Sequence, residues 1–462
     1  MPAHSSALPS EYLTPAGAFL PVVSSTGTYV PKPIAAPAAA ARAPGNGLVA
    51  AAILGLFVLA AVVSAARKDI SQGFDEVAHV SYVAQIQQSG DAAPALQTMR
   101  LLDPRTFQFT GAANYLNHPP AFYALLARLG PTLVGHPQAL FALRLINIAI
   151  ASLGFAALLG LGLVARLPRL EFYAYAVPLA CIPVLVPLAG AVNNDNLAFC
   201  GGALATLGAW QLAASGRQSW LILALAGVVA AAWAKLTGLL LTAALVSGVI
   251  TYMRWRGELA APWIVAAVVA LALAAAPYFA FIVHYGSPTP QTPAQLALLA
   301  DGARAAGWTD LPRRPFAGYL VYFIGAFVAD WMPTLAVRSA LNDGMLIIPV
   351  ATLACTLGGI AVALRRVWHR QASARDVVVA SGAYAIAAVF ALHVYYSYGR
   401  YVATGWLMDA YPRYYLPLAA VVPLACLSLL AAIEAPRRRV ALLAFLIAGP
   451  IAFRLLGAPL GL

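Results

Sequence analysis

Apolar runs long enough to cross a membrane recur along the whole chain, and no soluble fold has an interior that could bury so many of them. A hydrocarbon core about 30 Å thick is spanned by about 20 residues of α-helix. On that criterion the spans fall at roughly 47–66, 139–164, 172–192, 196–215, 219–234, 236–253, 262–283, 344–364, 377–396, 414–433 and 438–457, about eleven in all. The fifth and sixth are short and are separated at Ala234-Lys235-Leu236. Lipid offers backbone groups no hydrogen-bond partner, so each span must close its bonds within itself as a helix. With 62% hydrophobic and 10% charged residues among 462, the soluble classes are excluded. The expected fold is an all-α integral membrane protein of about eleven transmembrane helices.

Composition narrows the function further. Cys181, Cys200, Cys355 and Cys426 all lie in apolar runs, where they act as small hydrophobes and outline neither a disulfide framework nor a metal site. The net charge of +12 does not point to nucleic acid, because the basic residues form short clusters between apolar runs and no single stripe. Residues 1–46, rich in Ala, Pro, Ser and Thr, read as a disordered cytoplasmic tail ahead of a membrane domain over 47–462. The first apolar run lies too far in and is too long for a cleaved signal, so it is expected to stay as an anchor.

The basic clusters set the topology. One further apolar stretch, "HPPAFYALLARLGPTLVG" (118–135), contains Arg128 and Pro131. If it crossed the membrane, "RLPR" (166–169), "RWR" (254–256), "RRVWHRQASAR" (365–375) and "PRRR" (436–439) would all face outward, against the positive-inside rule. Lying in the interface, it leaves these clusters and Arg42 cytoplasmic. It then belongs to a long first extracytoplasmic loop, about 67–138, that carries interfacial helices, and further outer loops fall at about 284–343 and 397–413.

That arrangement gathers the polar residues on one side. Asp75 and His79 are spaced to share a helix face, with Glu76 beside them. A carboxylate there can serve as general base, or the Asp75/His79 pair can hold a divalent cation such as Mg, Mn or Ca. The same acids also suit a plain helix start, favoured by the dipole. "NNDN" (193–196) places Asp195 among amides, in a run that also suits a tight turn or cap. Lys235 interrupts apolar sequence, where a cation needs a partner or must reach the interface. Arg400 in "GRY" and Arg413 in "YPRYYLP" run against the charge bias of the outer side, which suggests an anionic ligand such as phosphate, unless Asp409 neutralises one of them. "HPP" (118–120) suits a helix entry, and His118 is also placed to touch substrate.

Taken in order, the acidic motif after the first span, the outer-loop "HPPxxY", the "ND" turn, the mid-chain lysine and the "RYxLP" sequence resemble the GT-C superfamily of integral membrane glycosyltransferases. The resemblance is nearest to its protein mannosyltransferase and aminoarabinose transferase branch and covers about 47–435. It implies a polyprenyl-phosphate-linked sugar donor, inversion at the anomeric carbon, and Asp75 as the catalytic aspartate. Asp195 then matches the second acidic position, Lys235 the lysine that meets the donor phosphate, and Arg413 the arginine of the "RY" motif, with Arg400 a further phosphate contact. Glu76 joins Asp75 and Asp195 in the expected catalytic group, while His79, His118, Asn194 and Tyr414 would orient or bind substrate. Two departures stand out: His118 precedes the "PP" where some relatives carry an acidic pair or a lysine, and a large C-terminal soluble domain is not seen.

The residues alone lead toward similar chemistry. Nucleotide sugars are cytoplasmic, so outward carboxylates need a donor delivered through the membrane, which a lipid phosphate supplies. The acceptor would be a glycan, lipid or protein, and the setting a bacterial inner membrane with the active site on its extracytoplasmic side. The competing readings are a secondary transporter or lipid flippase, and a non-catalytic lipid-binding component of envelope polysaccharide assembly. Transporters keep their charges near the midplane in broken, repeated helices. A glycosyltransferase instead requires Asp75, Asp195, Lys235 and Arg413 around one cavity with side access for a lipid tail.

Overall fold

The computed structural model describes residues 45–329, 347–407 and 410–457, so the expected tail, Asp409 and the end of the 284–343 loop lie outside the described residues. The chain opens with α1 (Asn46–Arg67), followed by α2 (Glu76–Ser89), a short hairpin of β1 (Arg100–Leu102) and β2 (Phe109–Ala113), and α3 (Ala121–Leu129). Next come α4 (Ala139–Val164), α5 (Arg169–Ala180), α6 (Leu185–Ala189), α7 (Asp195–Ser215), α8 (Trp220–Ala234), α9 (Leu236–Trp255) and α10 (Ala261–Tyr285). The remainder is α11 (Pro293–Ala305), α12 (Phe316–Ala329), α13 (Ile347–Trp368), α14 (Ala374–Thr404), a 3-10 turn at Pro412–Leu418, α15 (Val421–Leu430) and α16 (Pro436–Ala452).

Among the described residues seven helices are long and apolar enough to cross a membrane, or eight if the Pro412–Leu418 turn and α15, bent by 68°, form one broken span. The expected count of eleven is therefore not reproduced by length and composition, although each expected span coincides with helix. Proline explains part of the shortfall, since it removes a backbone donor and clashes with the preceding turn. The expected 172–192 span carries Pro178, Pro183 and Pro187 and is divided into α5 and α6. The separation at Lys235 is seen directly: this one residue is extended, with φ −162° and ψ 145°, between the ends of α8 and α9. At 15 residues α8 is about 22 Å long.

The stretch over 118–135 holds no helix long enough to span a hydrocarbon core. After Pro120 it forms only the nine-residue α3, about 14 Å long. Together α2, α3 and the hairpin make a cap with its own core, in which Tyr82, Phe107, Phe122, Tyr123 and Leu126 are fully enclosed. Ser81 Oγ accepts the Leu102 N–H at 2.8 Å and ties β1 to α2. The hairpin is the one feature of this loop that helical periodicity did not suggest. At the other expected loops, α14 continues eight residues past position 396 and shortens the loop over 397–413, while α11 and α12 occupy much of 284–343.

Close packing sets the site end of the bundle. Helix α7 meets α8 through Gly201, Gly208 and Gly227, where an added Cβ would overlap backbone of the facing helix. Small residues of this kind let membrane helices approach when no hydrophobic effect drives them together. Gly202 lies equally close under Pro417 and so sets the height of the turn that carries Arg413 and Tyr414.

Candidate active site

Three successive residues before α2 adopt left-handed backbone: Gly73 (φ 86°), Phe74 (φ 60°) and Asp75 (φ 56°). Aspartate tolerates this region better than most residues, whereas Phe74 is strained in it. The strain is held by neighbours. Asn193 Nδ2 donates to the Phe74 carbonyl at 2.8 Å, and Glu76 is locked immediately afterwards. The twist sends adjacent acids opposite ways, leaving the Asp75 side chain 45% exposed while that of Glu76 is enclosed.

Glu76 is fully engaged. Arg144 donates from Nε to Oε1 at 2.8 Å and from Nη2 to Oε2 at 2.7 Å, and the Val192 N–H donates to Oε1 at 2.8 Å. The other arm of Arg144, Nη1, donates to the carbonyls of Ala65 and Lys68 at 2.7 and 2.8 Å. One guanidinium thus satisfies carbonyls at the end of α1 and grips the start of α2, and Glu76 in turn holds the 191–192 segment. The expected catalytic contribution of Glu76 has no support in this geometry. Arg144 was not anticipated, although a lone charge inside the 139–164 run was the available signal.

Asp195 begins α7 beside the same junction. Its backbone N–H donates to Asn193 Oδ1 at 2.7 Å, and its Oδ1 accepts from Lys235 Nζ at 2.9 Å. The extended backbone at Lys235 aims its side chain back across the end of α7, and Asn194 Nδ2 braces the break by donating to the Ala234 carbonyl at 2.7 Å. Asn194 is therefore a structural brace. Lys235 Nζ also sits 3.6 Å from the centre of the Tyr414 ring, a cation–π contact. Arg413 stands between the two aspartates, with Nη2 3.6 Å from Asp75 Oδ2 and Nε 3.7 Å from Asp195 Oδ2. Its Nε and Asp195 Oδ2 are buried and have no hydrogen-bond partner among the described residues. Asp75 Oδ1 accepts from the Tyr115 hydroxyl at 3.0 Å.

His79 packs beneath this cluster. The Asn193 amide is oriented by its bonds to the Asp195 N–H and the Phe74 carbonyl, so its Nδ2 donates to His79 Nε2 at 3.1 Å. His79 Nδ1 then carries the proton toward the Tyr123 hydroxyl at 2.9 Å. Burial, reinforced by Lys235 and Arg413 against the pull of Asp195, pushes the His79 imidazole down to about 3. The His118 ring stacks on His79 at 6.0 Å, and burial and Lys235 hold it well below the usual histidine range. A divalent cation fits these residues poorly. Both His79 nitrogens face protein partners, and no group of three or more His, Cys, Asp or Glu side chains among the described residues could hold a metal.

A cavity of about 220 Å³ opens beside the cluster. Asp75, Tyr115, His118, Lys235, Arg400 and Tyr414 line its polar part. Leu236 and Leu240 of α9 and Val389 and Leu392 of α14 line its apolar part. Asp195 and Arg413 stand one layer behind this wall. Of the four residues expected around one cavity, Asp75 and Lys235 line it, whereas Asp195 and Arg413 do not and only contact those two.

No protein-family model and no curated protein matches the chain. Among solved structures it is similar to the crystal structure of ArnT from Cupriavidus metallidurans in the apo state, with 14% identity over 84% of this chain and 78% of that one and a TM-score of 0.35. It is also similar to ArnT from the same organism bound to undecaprenyl phosphate, with 14% identity over 88% and 86% of the two chains and a TM-score of 0.36.

Proposed function

We propose that this protein is a membrane glycosyltransferase. It moves a sugar from a polyprenyl-phosphate donor to an extracytoplasmic acceptor, with inversion and with Asp75 as general base. The observation that carries this reading is that Asp75 and Lys235 line one cavity whose apolar side is formed by Leu236 and Leu240 of α9 and Val389 and Leu392 of α14. A carboxylate, a cation and an apolar wall that can face a lipid chain are what transfer from a lipid phosphate requires.

In the proposed reaction an acceptor hydroxyl or amine attacks the anomeric carbon from the face opposite the phosphate. The bond from that carbon to the phosphate oxygen breaks, its electron pair stays on the phosphate, and the acceptor proton passes to Asp75. Negative charge builds on the leaving phosphate beside Lys235 and Arg400, with the field of Arg413 behind them. Cations already fixed in position, Lys235 by Asp195 and Tyr414, stabilise that charge without reorganising. Tyr115 and Arg413 orient the Asp75 carboxylate, while His79 and Asn193 hold the segment from which it projects.

The test is transfer of label from polyprenyl-phosphate sugars to candidate glycan, lipid and protein acceptors by the purified protein. Loss of transfer in Asp75→Asn, with polyprenyl-phosphate binding kept, is the expected result. Equal transfer by wild type and variant removes Asp75 from the mechanism.

A further inference from the structure

The part of the cavity not yet accounted for comes from two connected segments. Asn117 follows the Asp75-bound Tyr115 by two residues, and its Nδ2 donates to the Pro290 carbonyl at 2.9 Å and faces Gln295 Oε1 at 3.5 Å. Thr292 caps α11 by accepting the Gln295 N–H at 3.2 Å, which fixes the base of the second segment. Asn117, Thr289, Gln291 and Gln295 all line the cavity. Among the described residues, the Asn117 Oδ1, the Thr289 hydroxyl, the Gln291 amide and the Gln295 Nε2 have no hydrogen-bond partner within the protein. This wall therefore presents uncharged groups of both kinds, acceptors and donors, on a braced frame.

Such groups match sugar hydroxyls, each of which donates and accepts. They do not match a charged substituent. A sugar ammonium would enter a cavity lined by Lys235 and Arg400, whose only carboxylate among the described residues is Asp75, already in contact with Tyr115 and Arg413. A sugar carboxylate would compete with the donor phosphate for Lys235 and Arg400 and would place a second negative charge beside Asp75, the base that must stay available to the acceptor. We propose that the transferred group is an uncharged, polyhydroxylated sugar, recognised by Asn117, Thr289, Gln291 and Gln295. This rests on the polyprenyl-phosphate reading above and names the substrate class of the same site.

The experiment compares binding to the full chain in detergent, by native mass spectrometry, of bare polyprenyl phosphate and of polyprenyl-phosphate hexose, amino-sugar and uronic-acid conjugates of equal chain length. The hexose conjugate is expected to bind about tenfold tighter than bare polyprenyl phosphate, a gain typical of a few well-placed hydrogen bonds. The amino-sugar and uronic-acid conjugates are expected to show no such gain. In Gln291→Ala/Gln295→Ala the hexose gain should vanish while bare polyprenyl phosphate binds as before. Equal or tighter binding of either charged conjugate, no gain for the hexose, or a gain that survives the double substitution overturns the sugar assignment and leaves the lipid-phosphate reading standing. Failure of bare polyprenyl phosphate to bind overturns both.

Discussion

Arg144 holds both carboxylate oxygens of Glu76, at 2.8 and 2.7 Å, and through this pair the end of α1 is fastened to the start of α2. Both side chains are almost completely enclosed. Removing one partner of such a pair strands a buried charge and costs about 3–5 kcal/mol, whereas replacing both with apolar groups costs far less. Arg144→Met should therefore lower the thermal unfolding midpoint sharply, and Glu76→Leu added to it should recover a large part of the loss. An unchanged midpoint in the single variant would show that the pair does not brace the fold.

Lys235 ties the α8–α9 break to Asp195 and presents its charge to the cavity. A hydrogen bond to a charged group is worth about 1.5–3 kcal/mol. Lys235→Met should weaken polyprenyl-phosphate binding by about tenfold or more, and Lys235→Met/Asp195→Asn should restore folding stability without restoring binding. Affinities from native mass spectrometry, read beside unfolding midpoints, separate the two effects. Recovery of binding in the double variant would assign Lys235 to structure alone.

The His79 imidazole is held near 3 by burial, so between that value and about 6.5 the unfolded chain binds a proton that the folded chain does not. Stability from this group is complete above about 6.5 and falls progressively as pH drops toward 3. His118, also depressed, acts in the same direction. The unfolding midpoint should decline more steeply between pH 6.5 and 4.5 in wild type than in His79→Gln. Parallel slopes would mean that His79 takes up its proton without unfolding.

These features were legible to different degrees. Asp75 and Lys235 stood out because charge is scarce in apolar sequence and must be explained wherever it occurs. The lysine between two short adjoining apolar runs marked a break at Ala234-Lys235-Leu236, and the structure narrows it to the one extended residue, Lys235. Arg144 could not be assigned from sequence, because its partner lies 68 residues away and a lone arginine near the end of an apolar helix is indistinguishable from one reaching for the interface. For the same reason the enclosed position of Glu76 could not be told from that of its neighbour Asp75; the left-handed backbone at Gly73, Phe74 and Asp75 is what separates them. In "NNDN" the orienting amide is Asn193, which aligns His79, Phe74 and Asp195, while Asn194 serves the Lys235 break. Composition cannot choose between neighbouring asparagines, because the choice depends on contacts with distant segments.

Gly202 offers a way to disturb the site from a distance. An added Cβ there would strike Pro417, in the turn that carries Arg413 and Tyr414. Overpacking of this kind typically costs about 1–3 kcal/mol. Gly202→Ala should lower the unfolding midpoint and reduce transfer, although residue 202 does not line the cavity. Wild-type activity in a variant with a lowered midpoint would show that the turn can shift without consequence for the chemistry.

Asp75 itself permits the sharpest separation of structure from chemistry. Its left-handed backbone is accessible to Asn at little cost, so Asp75→Asn should keep the conformation, the Tyr115 contact and the unfolding midpoint. What it loses is the ability to take a proton, worth about 10²–10⁴ in rate for a general base. Turnover should fall by that factor with donor affinity little changed, because the Lys235–Asp195 pair is untouched. Asp75→Val is the structural control: a β-branched residue strains this backbone, so it should lower both stability and turnover. If Asp75→Asn lost activity only in proportion to a loss of stability, the carboxylate would be a structural cap on α2 and the cavity would need another base.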